Sequence, residues 1–138
     1  MKQIKYQINL ILQDILEFHG DLENSVDYPT EKGLRDLGLL ESAVNAPFQT
    51  FGGQYLYPTI IEKAAHLLYG LNKNHGFIDG NKRIAIHATL VYLIMNHVNI
   101  KYTQDEIVQL SMSVASDKAT PDDIVEWIQR RITSTSDD

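Results

Sequence analysis

The sequence predicts a mainly helical fold, all-α apart from one small β-hairpin flap, and three observations carry that expectation. Apolar residues recur at three- and four-residue spacing through most of the chain. A Gly52-Gly53 pair sits between the β-prone flanks Gln49-Thr50-Phe51 and Gln54-Tyr55-Leu56-Tyr57, as a tight hairpin turn requires. From Asn81 to Asn96, apolar side chains surround nearly the whole helical circumference, which puts that helix at the centre of a bundle.

The elements follow in order. Ile4, Ile8, Ile11, Leu12, Ile15 and Leu16 predict a first helix, with Gly20 as its C-terminal stop. Residues 21–33 are polar, after which Leu34, Leu37, Leu40, Ala43 and Val44 predict a shorter amphipathic helix that Pro47 ends. Beyond the hairpin, Pro58 opens a helix whose buried stripe is Ile60, Ile61, Ala64, Leu67, Leu68 and Leu71, broken at Asn72-Lys73-Asn74. A loop from His75 to Asp79 leads into the central helix. Thr103 and Glu106 form a capping box ahead of a further helix, and Thr120-Pro121 opens the last one, with Ile124, Trp127 and Ile128 on its apolar side. Residues 133–138 are expected to be a disordered tail, and with no repeat or linker in evidence residues 1–132 read as a single domain.

Composition narrows the function. Twelve Lys plus Arg against eighteen Asp plus Glu leave a net charge of −6, which opposes general attraction to nucleic acid or anionic lipid. Any phosphate site must therefore be local. The absence of Cys excludes disulfides, thiolate zinc sites and thiol nucleophiles. Asn9, Gln13, Asp14 and Glu17 interrupt the apolar run from Ile4 to Phe18, so neither a signal segment nor a membrane span is expected, and the reading is of a cytoplasmic protein.

The chemistry concentrates in His75-Gly76-Phe77-Ile78-Asp79-Gly80-Asn81-Lys82-Arg83. The first turn of a helix presents unpaired backbone N–H groups, and Gly80 lets an anion approach the main chain. Lys82 and Arg83 at the positive end of a helix dipole cost a few tenths of a kcal/mol unless an anion compensates. Asp79 beside bound phosphates suits Mg²⁺, and a neutral His75 can take the proton of an attacking hydroxyl. The blander alternatives are Asp79 as an ordinary N-cap, residues 81–83 as a solvated first turn, and His75 as a structural loop histidine. His19, His66, His87 and His97 show no metal-ligand spacing and are assigned core or surface roles. Phe51, Tyr55 and Tyr57 read as hairpin packing or as a recognition surface.

This stretch resembles the Fic/Doc family signature, His-x-Phe-x-(Asp/Glu)-Gly/Ala-Asn-x-Arg, at a loop leading into a central helix. Arg35 to Ala43, Pro47, Phe51-Gly52-Gly53, Tyr57-Pro58 and Lys63-Ala64-Ala65 are similar to the Doc (death-on-curing) toxin branch, so the resemblance covers roughly residues 1–132. It implies a Fic-like bundle, His75 as general base, Asp79 as Mg²⁺ ligand, Gly80, Asn81 and Arg83 cradling the phosphates of ATP, and Phe77 as the loop's core anchor. Relatives that transfer AMP read Gly-Asn-Gly-Arg-x-x-Arg, whereas this chain has Lys82 and Ile86 at the second Gly and the final Arg. By resemblance to Doc toxins, Lys82 implies a kinase that moves the γ-phosphate of ATP to a Ser/Thr hydroxyl of elongation factor Tu, arresting translation. An adenylyltransferase and a non-catalytic partner-binding module are the alternatives. The edge of the hairpin, with Phe51, Gly52, Gly53, Tyr55 and Tyr57, could dock an extended target segment by strand addition. No Ser or Thr is followed by Glu four positions on, so no internal inhibitory helix of the Fic type is expected. Resemblance to Doc then implies a separate antitoxin that folds as a helix into a groove.

Overall fold

The computed structural model describes residues 9–24 and 31–135. Among these residues six helices dominate: α1 (Leu12–Glu23), α2 (Leu37–Asn45), α3 (Ile60–Lys73), α4 (Asn81–Met95), α5 (Gln104–Ala115) and α6 (Pro121–Gln129). A 3₁₀ turn (Ala46–Phe48) follows α2, and two small antiparallel sheets pair β1 (Thr50–Phe51) with β2 (Gln54–Tyr55) and β3 (Val98–Ile100) with β4 (Ile132–Thr135). The fold is mainly helical with a small hairpin, as the periodicity predicts.

Most helix starts are set by short-range chemistry. The side chains of Asp36, Thr59, Thr103 and Thr120 each accept a hydrogen bond from the backbone N–H three residues on. The capping boxes at Thr103 and Thr120 are both formed. The start of α3 is thus set by Thr59, with Pro58 just outside it. Gly52 and Gly53 both take positive φ, at 60° and 80°, the conformation of a type I′ hairpin turn.

Three expectations need correction. The first helix forms from Leu12 onward, but Ile11 stands outside it as the N-cap: it is extended, and its N–H donates to Asp14 Oδ2 at 2.9 Å. Residues 1–8 lie outside the described residues, so the part of that expectation resting on Ile4 and Ile8 falls there too. Nor does Gly20 stop the helix, because burial of Ile15 and His19 and packing of Leu22 on the core outweigh a glycine cost of roughly 0.5–1 kcal/mol. Finally, Ile132–Thr135 is a strand where a disordered tail is expected, and residues 136–138 lie outside the described residues. The strand is held by pairing with β3, by Lys101 N–H donating to the Arg131 carbonyl at 2.9 Å, and by Arg131, which binds Glu106 at 2.7 Å and lies over the Trp127 ring at 4.0 Å.

One apolar cluster unites the helices, with Leu40 and Val44 of α2, Leu67 and Leu68 of α3, Ala88, Tyr92 and Leu93 of α4, and Ile124 of α6 all buried. Within it α4 packs on α1, α3, α5 and β3. Its wrap-around apolarity does not bury it on all sides, since His87 and Ile94 share an exposed face. Among the described residues no helix is long and apolar enough to cross a membrane.

Candidate active site

Between α3 and α4 the chain turns through residues 74–80, and other elements hold its backbone. His75 has φ 49°, a left-handed conformation that non-glycine residues adopt only when neighbours enforce it. Arg35, just ahead of α2, enforces it. Its Nε donates to the His75 carbonyl at 2.6 Å and a second guanidinium nitrogen to the Asn74 carbonyl at 3.3 Å. The backbone N–H groups of Arg35 and Asp36 both donate to the Gly76 carbonyl, at 2.8 and 3.0 Å. The imidazole of His75 is left exposed. Gly76 lies directly on α2: a Cβ there would stand 2.7 Å from Leu40 Cβ, so the close approach needs glycine.

Phe77 is buried and anchors the loop, as expected. It pairs with Leu34 in an isolated antiparallel bridge and stacks parallel to the His19 ring with centroids 3.7 Å apart. Leu34 therefore belongs to this bridge and not to α2, whose N-cap is Asp36.

Asn81 closes the turn. Its Oδ1 accepts from the Phe77 N–H at 3.0 Å and its Nδ2 donates to the Phe77 carbonyl at 2.9 Å, so both ends of the carboxamide are engaged by the loop. What Asn81 can offer a ligand is chiefly its backbone N–H in the first turn of α4.

Asp79 is not the N-cap of α4. That position belongs to Gly80, at φ 82°. The Asp79 carboxylate instead accepts from the Gly80 N–H at 2.8 Å through Oδ1 and from the Glu31 N–H at 3.1 Å through Oδ2. Those two N–H groups, with smaller help from the nearby charge of Arg83, hold its pKa below the usual carboxylate value. It is ionised at neutral pH.

These residues share an open cleft of about 320 Å³ lined by His75, Ile78, Asp79, Gly80, Asn81, Lys82 and Arg83. His75, Asp79, Gly80, Asn81, Lys82 and Arg83, the six positions given a role in the site, thus line one space, of a size that accepts a small molecule. Two cations and the N-terminus of α4 make it favourable to anions. Among the described residues Asp79 is its one carboxylate, and no group of three or more His, Cys, Asp or Glu could hold a metal. That donor set suits Mg²⁺ arriving with phosphate oxygens and keeping its waters, rather than a metal held by protein alone.

The hairpin is not part of the lining. Two of its aromatic rings are spent on α3: Tyr57 stacks on His66 at 3.6 Å, and Lys63 Nζ sits 4.0 Å from the centre of the Tyr55 ring while donating to the Tyr57 carbonyl at 2.6 Å. Burial pushes the Lys63 ammonium and the His66 imidazole down from their ordinary pKa values. Phe51, by contrast, is 80% exposed, which leaves it as the hairpin's candidate docking side chain.

Sequence reasoning missed Arg35 and set His19 aside. Both reach the loop from elements distant in the chain, so no local spacing could have flagged them, although Arg35 stands in the run that carries the family resemblance.

Comparison with known proteins gives two findings. A family model described as the Fic/DOC family matches residues 8–93. A protein named Toxin Doc, from Mycolicibacterium smegmatis, is 42% identical over 76 residues, or 55% of this chain and 58% of that relative. The match thus spans little more than half the length of the relative.

Proposed function

The chain belongs to the Fic/DOC family, and from that premise we propose that it is the toxin of a toxin–antitoxin pair, a kinase that moves the γ-phosphate of ATP to a Ser or Thr hydroxyl of a translation factor. One observation carries the reading: an exposed histidine, an ionised carboxylate, two cations and a helix N-terminus converge on a single cleft. By family resemblance the acceptor is elongation factor Tu and the brake is a separate antitoxin.

Each residue has a task in this reading. His75, with its carbonyl held by Arg35 and its ring exposed, accepts the proton of the acceptor hydroxyl as the oxygen attacks phosphorus. Lys82, Arg83 and the first-turn N–H groups of α4 bind the triphosphate and oppose the charge that builds on its oxygens. Asp79 would hold Mg²⁺, whose chemistry when bound is to neutralise and orient the phosphates. Asn81 keeps the turn closed through Phe77. Lys82 favours the γ-phosphate over AMP transfer, because an ammonium there and Ile86 in place of a guanidinium shift the positive charge toward the loop.

The test is transfer from ATP labelled at either the α or the γ phosphorus, with purified elongation factor Tu as acceptor. Label from γ on the acceptor is expected. Label from α would identify an adenylyltransferase, and no transfer from either would favour a module that acts by binding alone.

A further inference from the structure

We propose that His19 of α1 is a positioning residue for this cleft, locking the Asp79–Gly80 peptide so that Asp79 keeps its orientation. The inference rests on the reading of the cleft as a nucleotide site.

The peptide joining Asp79 to Gly80 is the pivot of the loop. Its N–H donates to Asp79 Oδ1 at 2.8 Å and its carbonyl accepts from His19 Nε2 at 2.8 Å. Locally, that plane is held through the Gly80 N–H bond to the adjacent carboxylate, which leaves its carbonyl side to His19. Glycine populates both signs of φ at similar cost, so Gly80 at φ 82° resists rotation of the peptide far less than any other residue would. A flip would turn the carbonyl toward the Asp79 carboxylate and remove the N–H that supports it. Oxygen would then face oxygen beside the phosphate-binding turn.

His19 is built to prevent this. It is 2% exposed, and stacking on Phe77 fixes the plane of its ring. Because a carbonyl only accepts, the nitrogen facing it must carry the proton. The other ring nitrogen lies 3.5 Å from Glu23 Oε2, and the same Glu23 oxygen accepts from the Gly33 N–H at 2.6 Å, tying α1 to the strand-like segment beside Phe77. One turn of α1, from His19 to Glu23, thereby reaches the Asp79 carbonyl from 60 residues away in the chain.

Two amide substitutions separate donor geometry from bulk and polarity. In His19→Gln the amide nitrogen can occupy the place of Nε2, whereas in His19→Asn it reaches only as far as Nδ1. The first readout needs no nucleotide: the Gly80 amide should exchange with solvent as slowly in His19→Gln as in the parent and about tenfold faster in His19→Asn. The second is the affinity for Mg²⁺ with a non-hydrolysable ATP analogue, expected near the parent value in His19→Gln and about tenfold weaker in His19→Asn. Equal Gly80 exchange in the parent and both variants overturns the proposal. A parent that binds no nucleotide sinks the proposed function instead, and the exchange comparison still decides this one. Should both variants fail to fold, the ring nitrogens of the intact protein decide by NMR: a proton on Nε2 of His19 sustains the lock, and a neutral ring protonated on Nδ1 alone ends it.

Discussion

The two ends of α3 are fitted out in opposite ways. At its C-terminal end, residues 74–80 have their backbone groups held by Arg35, Asp36, His19 and Asn81, which leaves the side chains of His75 and Lys82 exposed. At its N-terminal end the hairpin has Tyr55 and Tyr57 engaged by Lys63 and His66, while both of its strands stay exposed, Phe51 most of all. A catalytic loop needs a rigid main chain that aims a few unencumbered side chains. A docking element needs an accessible edge and can spend its side chains on anchorage.

The largest effect expected from this contrast is chemical. His75→Ala should lower phosphoryl transfer by about 10²–10⁴-fold while leaving affinity for Mg²⁺ and ATP nearly unchanged, because the ring acts on the proton and not on the phosphates. Cells expressing the variant should keep growing. Growth arrest as fast as with the parent protein would show that catalysis is not what the cleft is for.

Next in size is a pair of glycine substitutions. Gly76→Ala must push the loop off Leu40 and should cost roughly 1–3 kcal/mol in chemical denaturation, with loss of transfer activity. Gly52→Ala meets nothing within 4 Å and pays only for its φ of 60°, about 1 kcal/mol, with the cleft intact. Equal losses of activity would erase the distinction between loop and hairpin.

Asp79→Asn should weaken Mg²⁺-dependent nucleotide binding without unfolding the chain, and it carries a pH signature. The backbone N–H groups of Glu31 and Gly80 depress the carboxyl pKa in the folded state. Their stabilisation is therefore complete above the unfolded value of about 3.9 and lost as pH falls through the folded value. Thermal melts from pH 5 down to pH 2 should show the parent losing an increment that Asp79→Asn lacks. Parallel curves would mean that the carboxylate is not held as described.

The smallest effect is at the hairpin tip. Phe51→Ala should change stability by less than about 0.5 kcal/mol, since the ring is exposed. It should nonetheless raise the KM for the protein acceptor while sparing nucleotide affinity. An unchanged acceptor KM would leave the hairpin a structural turn and no more.

Legibility in the sequence followed range. Thr103 and Thr120 announce helix starts because a cap and its donor are three residues apart, and Gly52-Gly53 announces its turn because the needed φ values belong to those residues themselves. The motif from His75 to Arg83 could be read as one cleft for the same reason, since a loop and one helical turn bring its members together. Two of the features that misled show why. Gly20 is an intrinsic helix breaker overruled by the burial around it, and Leu34 has helical spacing to Leu37 but is claimed by Phe77.

By itself, then, the sequence determined the helical class, the caps, the hairpin turn and the composition of the cleft, all set by interactions within a few residues. Only the tertiary structure decided that Ile132–Thr135 pairs with Val98–Ile100, that Arg35 imposes the backbone of His75, and that His19 meets Asp79 from 60 residues away. Such contacts form when packing of the apolar core brings distant segments together, and their partners share no spacing along the chain that could be read beforehand.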